Sequence, residues 1–140
     1  DVDEFIVPDP GKYKDLGEYL DKAVSEASGV VRCIGYDVLQ MAEGELDQSK
    51  PILSQRSYWA PDVMYNKYVI LTKPQVFLNN HHIKDGKEPD QDLRLLHLRD
   101  ADIKSAIERC RGLGRTFDMN ELNNRKARAE LIPEKWRGVL

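Results

Sequence analysis

Three observations predict a mixed α and β fold for this chain. Apolar residues recur at helical spacing ahead of Gly29, and a β-rich run follows that glycine directly. Strand-like and helix-like segments then continue to the end, with the helices gathered toward the C-terminus. The 140 residues are 41% hydrophobic and 32% charged, enough apolar material for a core in an ordinary water-soluble protein, so residues 1–140 read as a single domain or part of one. The longest apolar runs are only a few residues, which predicts no transmembrane segment, and the opening acids do not resemble an export signal. A net charge of −3 and a pI near 5.6 argue against a general nucleic-acid or anionic-membrane surface. Cys33 and Cys110 stand far apart in apolar company and read as buried thiols of a reducing compartment. A cytoplasmic location is the resulting expectation.

Leu16, Tyr19, Leu20, Ala23, Val24 and Ala27 predict an amphipathic helix over Asp15 to Ser28, stopped by Gly29. Val30 to Leu39 reads as one largely buried strand. The polar stretch from Met41 to Pro51 reads as an exposed loop. Tyr68 to Thr72 predicts a short strand, extending toward Val76-Phe77-Leu78 past the interruption at Pro74. After the polar "NNHHIKDGKEPDQD", Leu93 to Leu98 is another strand. Ile103, Ala106, Ile107 and Cys110 space a helix capped by Asp100 or Asp102 and closed by Gly112 and Gly114. A last helix covers Asn120 to Leu131, its basic run Arg125-Lys126-Ala127-Arg128 reading as a solvated face, and "PEKW" starts a final turn.

The chemistry-bearing motif is the opening "DVDEF". Hard divalent cations prefer carboxylate oxygens and need more than one, which paired aspartates can supply. With 14 aspartates in the chain, chance supplies roughly one D-x-D pair, and this sequence has three. Asp90/Asp92 falls in a polar loop, and Asp100/Asp102 falls where a helix needs its cap. Asp1/Asp3 has a different setting: Glu4, then the apolar Phe5-Ile6-Val7, then Pro8, as though a chain were leaving a sheet and turning.

In order, "DVDEFIVP", "LGEYL", a glycine-closed helix, "VVRCIGYDVLQ", "SKPILSQ", "YNKYVILTK", the histidine pair and "LLHLRD" resemble the middle of a GT-A-type glycosyltransferase of the family 2 kind, over most of residues 1–110. The resemblance implies the acceptor-side part of a GT-A-like fold, with the nucleotide-binding half ahead of Asp1, so that the isolated chain is expected to be inactive. It implies a nucleotide-sugar donor, a carbohydrate or other hydroxyl acceptor, and Mn²⁺ or Mg²⁺. It also implies Asp3 as the leading metal ligand, Asp1 as an ancillary group near the sugar or ribose, and Lys67 in the lysine-led strand among the cofactor-binding residues.

Such a transfer leaves a diphosphate, whose growing charge a metal and cationic side chains can stabilise. His97, the last residue of an apolar strand, could complete the metal's coordination beside Asp3, or could be a satisfied core histidine. His81 and His82 are adjacent, so at most one would join a site if the strand continues. A carboxylate base must take the acceptor's proton in an inverting transfer. Asp62 is the first candidate, since it follows Tyr58 and Trp59, aromatics of the type that stack on sugars; the alternative is a turn beside core aromatics. Asp37 is the second. A non-enzymatic binding or scaffolding domain and a metal-dependent phosphoryl-transfer domain stay open as other functions, the latter without a glycine-rich phosphate loop.

Overall fold

Asp15 opens the first helix as expected, its side chain accepting from Glu18 N at 2.9 Å. Helix α1 (Leu16–Tyr19) passes directly into a π-helical turn, Leu20–Val24. The computed structural model describes residues 3–24, 29–79, 82–84 and 86–137, so the last residues of the expected helix and His81 lie outside the described residues. Gly29 then adopts φ 99°, a conformation that suits glycine at a stop.

The strands are β1 (Glu4–Pro8), β2 (Val30–Arg32), β3 (Ile34–Leu39), β4 (Tyr58–Pro61), β5 (Tyr68–Leu71), β6 (Phe77–Asn79), β7 (His82–Ile83), β8 (Leu93–His97) and β9 (Glu130–Leu131). The other helices are α2 (Ile52–Gln55), α3 (Ile103–Gly112) and α4 (Met119–Lys126). Five strands form one sheet in the order β1-β8-β3-β4-β9, and β2-β5 and β6-β7 form two separate pairs. The fold is therefore mixed α and β. No helix among the described residues is long and apolar enough to cross a membrane.

Several expectations are corrected. The triplet Phe5-Ile6-Val7 belongs to a strand that begins right after the acidic pair, where the sequence suggested a chain leaving a sheet. The single strand expected over Val30 to Leu39 is two. Cys33 N donates to Lys67 O at 2.9 Å, and β2 pairs antiparallel with β5, Val31 opposite Ile70, while β3 joins the large sheet. "YWAP" is a strand, and the helix expected to reach Leu131 ends at Lys126, leaving Leu131 to pair with Tyr58 across β4 and β9. "ILSQ", just past the expected loop of Met41 to Pro51, is the short helix α2.

The contacts divide the chain into two units. One comprises Asp1–Asp3, Asp37–Pro61 and His97–Leu140; the other comprises Glu4–Tyr36 and Asp62–Leu96. The second unit is built on Tyr19, Val31, Cys33, Leu93 and Leu95, with Ile6, Tyr13, Leu16, Tyr65, Val69 and Ile70 packed around them. Burial pushes the Cys33 thiol above its ordinary pKa, with the Glu4 charge adding to the shift. The first unit packs Leu39, Ala60 and Leu122 with Met41, Ile103, Phe117 and Ala129, while Trp59 meets Trp136 edge-on with ring centroids 5.7 Å apart.

In the second unit Gly35 allows a close approach. A Cβ there would stand 2.3 Å from Tyr65 Cβ and 2.8 Å from Asp62 O, and neither neighbour is the far end of a flexible side chain. Gly35→Ala is therefore expected to cost about 2–3 kcal/mol, read as a lowered denaturation midpoint at unchanged slope. An unchanged midpoint would mean that the Tyr65 segment moves aside freely.

Candidate functional site

Within the first unit, Asp3 precedes β1, Asp37 sits in β3 and His97 ends β8. Leu98 N donates to Asp3 O at 2.8 Å, so the backbone itself holds Asp3 beside the end of β8. The side chains then meet: His97 Nε2 lies 3.6 Å from Asp3 Oδ2, and His97 Nδ1 lies 2.6 Å from Asp37 Oδ1. The first distance is too long for a hydrogen bond and short enough for a shared ion or bridging group. The juxtaposition of Asp3 and His97 expected from the strand "LRLLHL" is present in the structure.

Arg109, in the last turn of α3, reaches the same carboxylate, with its NH1 2.6 Å from Asp3 Oδ2. Burial alone would raise the Asp3 pKa, but the hydrogen bond from Arg109 and the charges of His97 and Arg109 outweigh it, and the carboxyl is held below its ordinary value. The sequence reading missed Arg109. Its signal was the position three residues after the buried Ala106, which turns both toward the same side of the helix.

Behind His97 lies a buried charge network. Asp37 and Asp100 are wholly buried, and Arg125 is 5% exposed. Arg125 Nε is 3.0 Å from Asp37 Oδ2, an ion pair whose angle falls outside hydrogen-bond geometry, NH1 is 2.5 Å from Asp100 Oδ2, and NH2 bonds Glu121. The planar guanidinium thus serves three acids at once. This corrects the reading of Arg125 as part of a solvated face. It also resolves the choice of cap for α3: Asp102 accepts from Ser105 N, while Asp100 turns inward to Arg125.

The remaining candidates fall elsewhere. Asp62 belongs to the second unit, where its Oδ1 accepts from Met64 N at 2.9 Å and caps the 3-10 turn Val63–Tyr65. Trp59 is 4% exposed, so it is a core residue rather than a platform for a sugar. Lys67, in the second unit, pairs with Glu4 and lies 5.3 Å from the centre of the Tyr65 ring. His82 is exposed and shares a hydrogen bond of 3.0 Å with Asn79. Asp1 lies outside the described residues.

As a metal site, Asp3 and His97 supply a carboxylate oxygen and an imidazole nitrogen, a donor pair that suits Mn²⁺ better than Mg²⁺. No group of three or more His, Cys, Asp or Glu side chains able to hold a metal ion occurs among the described residues. Two such donors fit an ion that takes its other ligands from a bound diphosphate or water. Comparisons with protein-family models, curated proteins and solved structures find no match for this chain.

Proposed function

We propose that this chain is the metal-site and acceptor-side part of a GT-A-type glycosyltransferase of the family 2 kind, moving a sugar from a nucleotide-sugar to a hydroxyl acceptor. The observation that carries this reading is the approach of His97 Nε2 to Asp3 Oδ2, two donors from opposite ends of the motif order that bears the resemblance. Asp3 and His97 would hold Mn²⁺ or Mg²⁺, which when bound supplies positive charge to a departing diphosphate. Arg109 is a cation at the same carboxylate, placed where it can share in that stabilisation. Asp62 as base rests on its place after Tyr58 and Trp59 in the sequence, and Asp1 and Lys67 as nucleotide-side groups rest on the resemblance.

A second reading is a binding or scaffolding domain, favoured by the ion pair with Arg109 that already neutralises Asp3. Turnover separates the two. The protein carrying this chain, together with any sequence ahead of Asp1, is expected to release a nucleoside diphosphate from some member of a nucleotide-sugar panel in Mn²⁺, and chelation is expected to stop it. The 140-residue chain alone is expected to turn over little or nothing, because the resembling family holds the base and ribose ahead of the D-x-D motif. Robust turnover or micromolar nucleotide binding by the chain alone would count against the proposal, as would the absence of any metal-dependent release by the longer protein.

A further inference from the structure

We infer that Asp37 and Arg125 are positioning residues for His97: the Asp37 carboxylate, held by the Arg125 guanidinium, fixes the imidazole with its Nε2 edge presented to Asp3. The purpose of this arrangement rests on the metal-site reading above, while its geometry stands independently of it.

A carboxylate with no exposure in the middle of β3 is expensive to keep, and an apolar residue there would often be neutral or stabilising. What Asp37 does with its two oxygens accounts for its presence. Oδ1 meets His97 Nδ1 at 2.6 Å, and Oδ2 faces Arg125 Nε at 3.0 Å. With the guanidinium on one side, the carboxylate stays an acceptor on the other, so Nδ1 carries the proton and donates it. The opposite edge of the ring, Nε2, is the one that faces Asp3 at 3.6 Å. Histidines that ligate metals commonly donate their second N–H to a carboxylate in this way, which sets both tautomer and ring orientation. Arg125 is itself anchored by Asp100 and Glu121, so α4 acts on the site through a chain of charges without touching Asp3.

Asp37→Asn separates positioning from mere packing. The amide is nearly isosteric, but Arg125 is a donor only, so Asn places its oxygen toward Arg125 and its NH₂ toward His97. Nδ1 must then accept, and the proton moves to Nε2. The measurement is the imidazole ¹⁵N spectrum of the histidine-labelled chain, read at a pH high enough that its shifts no longer change, with the His97 signals assigned by His97→Gln. Wild type is expected in the Nδ1–H form and Asp37→Asn mainly in the Nε2–H form. Leu122→Ala, which opens the core on the same helix, is expected to lower stability and leave the tautomer of His97 as in wild type. Asp37→Asn is also expected to weaken Mn²⁺ binding about 10- to 100-fold.

An Nε2–H form in wild type would overturn the inference, as would an unchanged tautomer in folded Asp37→Asn or a reversed one in Leu122→Ala. Should Asp37→Asn not fold, the wild-type spectrum decides: a dominant Nδ1–H form supports the inference, and an Nε2–H form overturns it. If wild type binds no Mn²⁺ with or without an added nucleoside diphosphate while the tautomers behave as expected, the metal-site reading fails and the positioning geometry stands.

Discussion

Arg125→Met is expected to destabilise the protein by about 3 kcal/mol, because it takes the guanidinium away from two buried carboxylates and leaves Asp100 with Arg99 Nε at 3.3 Å and Asp37 with the His97 ring. Asp37 and Asp100 have no exposure, and the single guanidinium faces both at 3.0 and 2.5 Å. Methionine fills the space of the side-chain stem but returns none of the charge. The loss should appear as a lower urea midpoint at unchanged slope. A loss below about 1 kcal/mol would mean that water or a rearranged cation reaches the acids, and that the network is not the buried cluster described above.

The pH dependence of that variant has a definite sign. Burial raises the Asp37 carboxyl above its ordinary pKa; His97 and Arg125 pull it partly back, and Asp100 pushes it up. A carboxyl raised in the folded state binds its proton more tightly there than in the unfolded chain. Its contribution to stability is therefore fully present below the ordinary carboxylate pKa and is lost as pH rises through the raised one. Removing Arg125 takes away one of the lowering charges. The deficit against wild type is accordingly expected to be smallest in acid and to grow toward neutral pH, and a deficit that shrank with rising pH would contradict the assignment.

The second large effect concerns the three D-x-D pairs. In the protein carrying this chain, Asp3→Ala is expected to reduce Mn²⁺-dependent activity by more than about 100-fold, since it removes a charged group from the proposed reaction centre. Asp92→Ala, which breaks a surface ion pair with Lys12, is expected to leave activity nearly intact. Asp90→Ala is expected to spare activity too, but to cost about 1–3 kcal/mol in stability. Its carboxylate accepts from the Tyr19 hydroxyl at 2.9 Å, and Tyr19 is wholly buried. Equal loss of activity in all three variants would leave the assignment of Asp3 without support.

Much of the local structure was legible because it depends on neighbours in sequence. Asp15 and Asp102 cap helices with their own side chains, Gly29 and Gly114 take positive φ at helix or strand boundaries, and the apolar run of β8 ends at His97. What failed depended on pairing across the chain. Val30 to Leu39 is β-rich throughout, so nothing local marks Cys33 as the point where one half pairs with β5 and the other joins the large sheet. Glu130-Leu131 continues a helical pattern in sequence, yet bonding to Tyr58 and Trp59 makes it a strand. Tertiary context overrides weak local preference in such short segments.

By itself the sequence determined the mixed α and β class, the stop at Gly29, a cap for α3 at Asp100 or Asp102, and the delivery of one histidine to the end of a buried strand. Asp3 stands beside that histidine as expected, but only the tertiary structure decided that Asp37 backs it and that Arg125 leaves a run that reads as solvated to neutralise Asp37 and Asp100. The physical reason is the cost of burying charge. A lone buried carboxylate or guanidinium is strongly unfavourable, so each depends on a partner that no local pattern reveals, and the partners come from β3, α4 and the segment between β8 and α3.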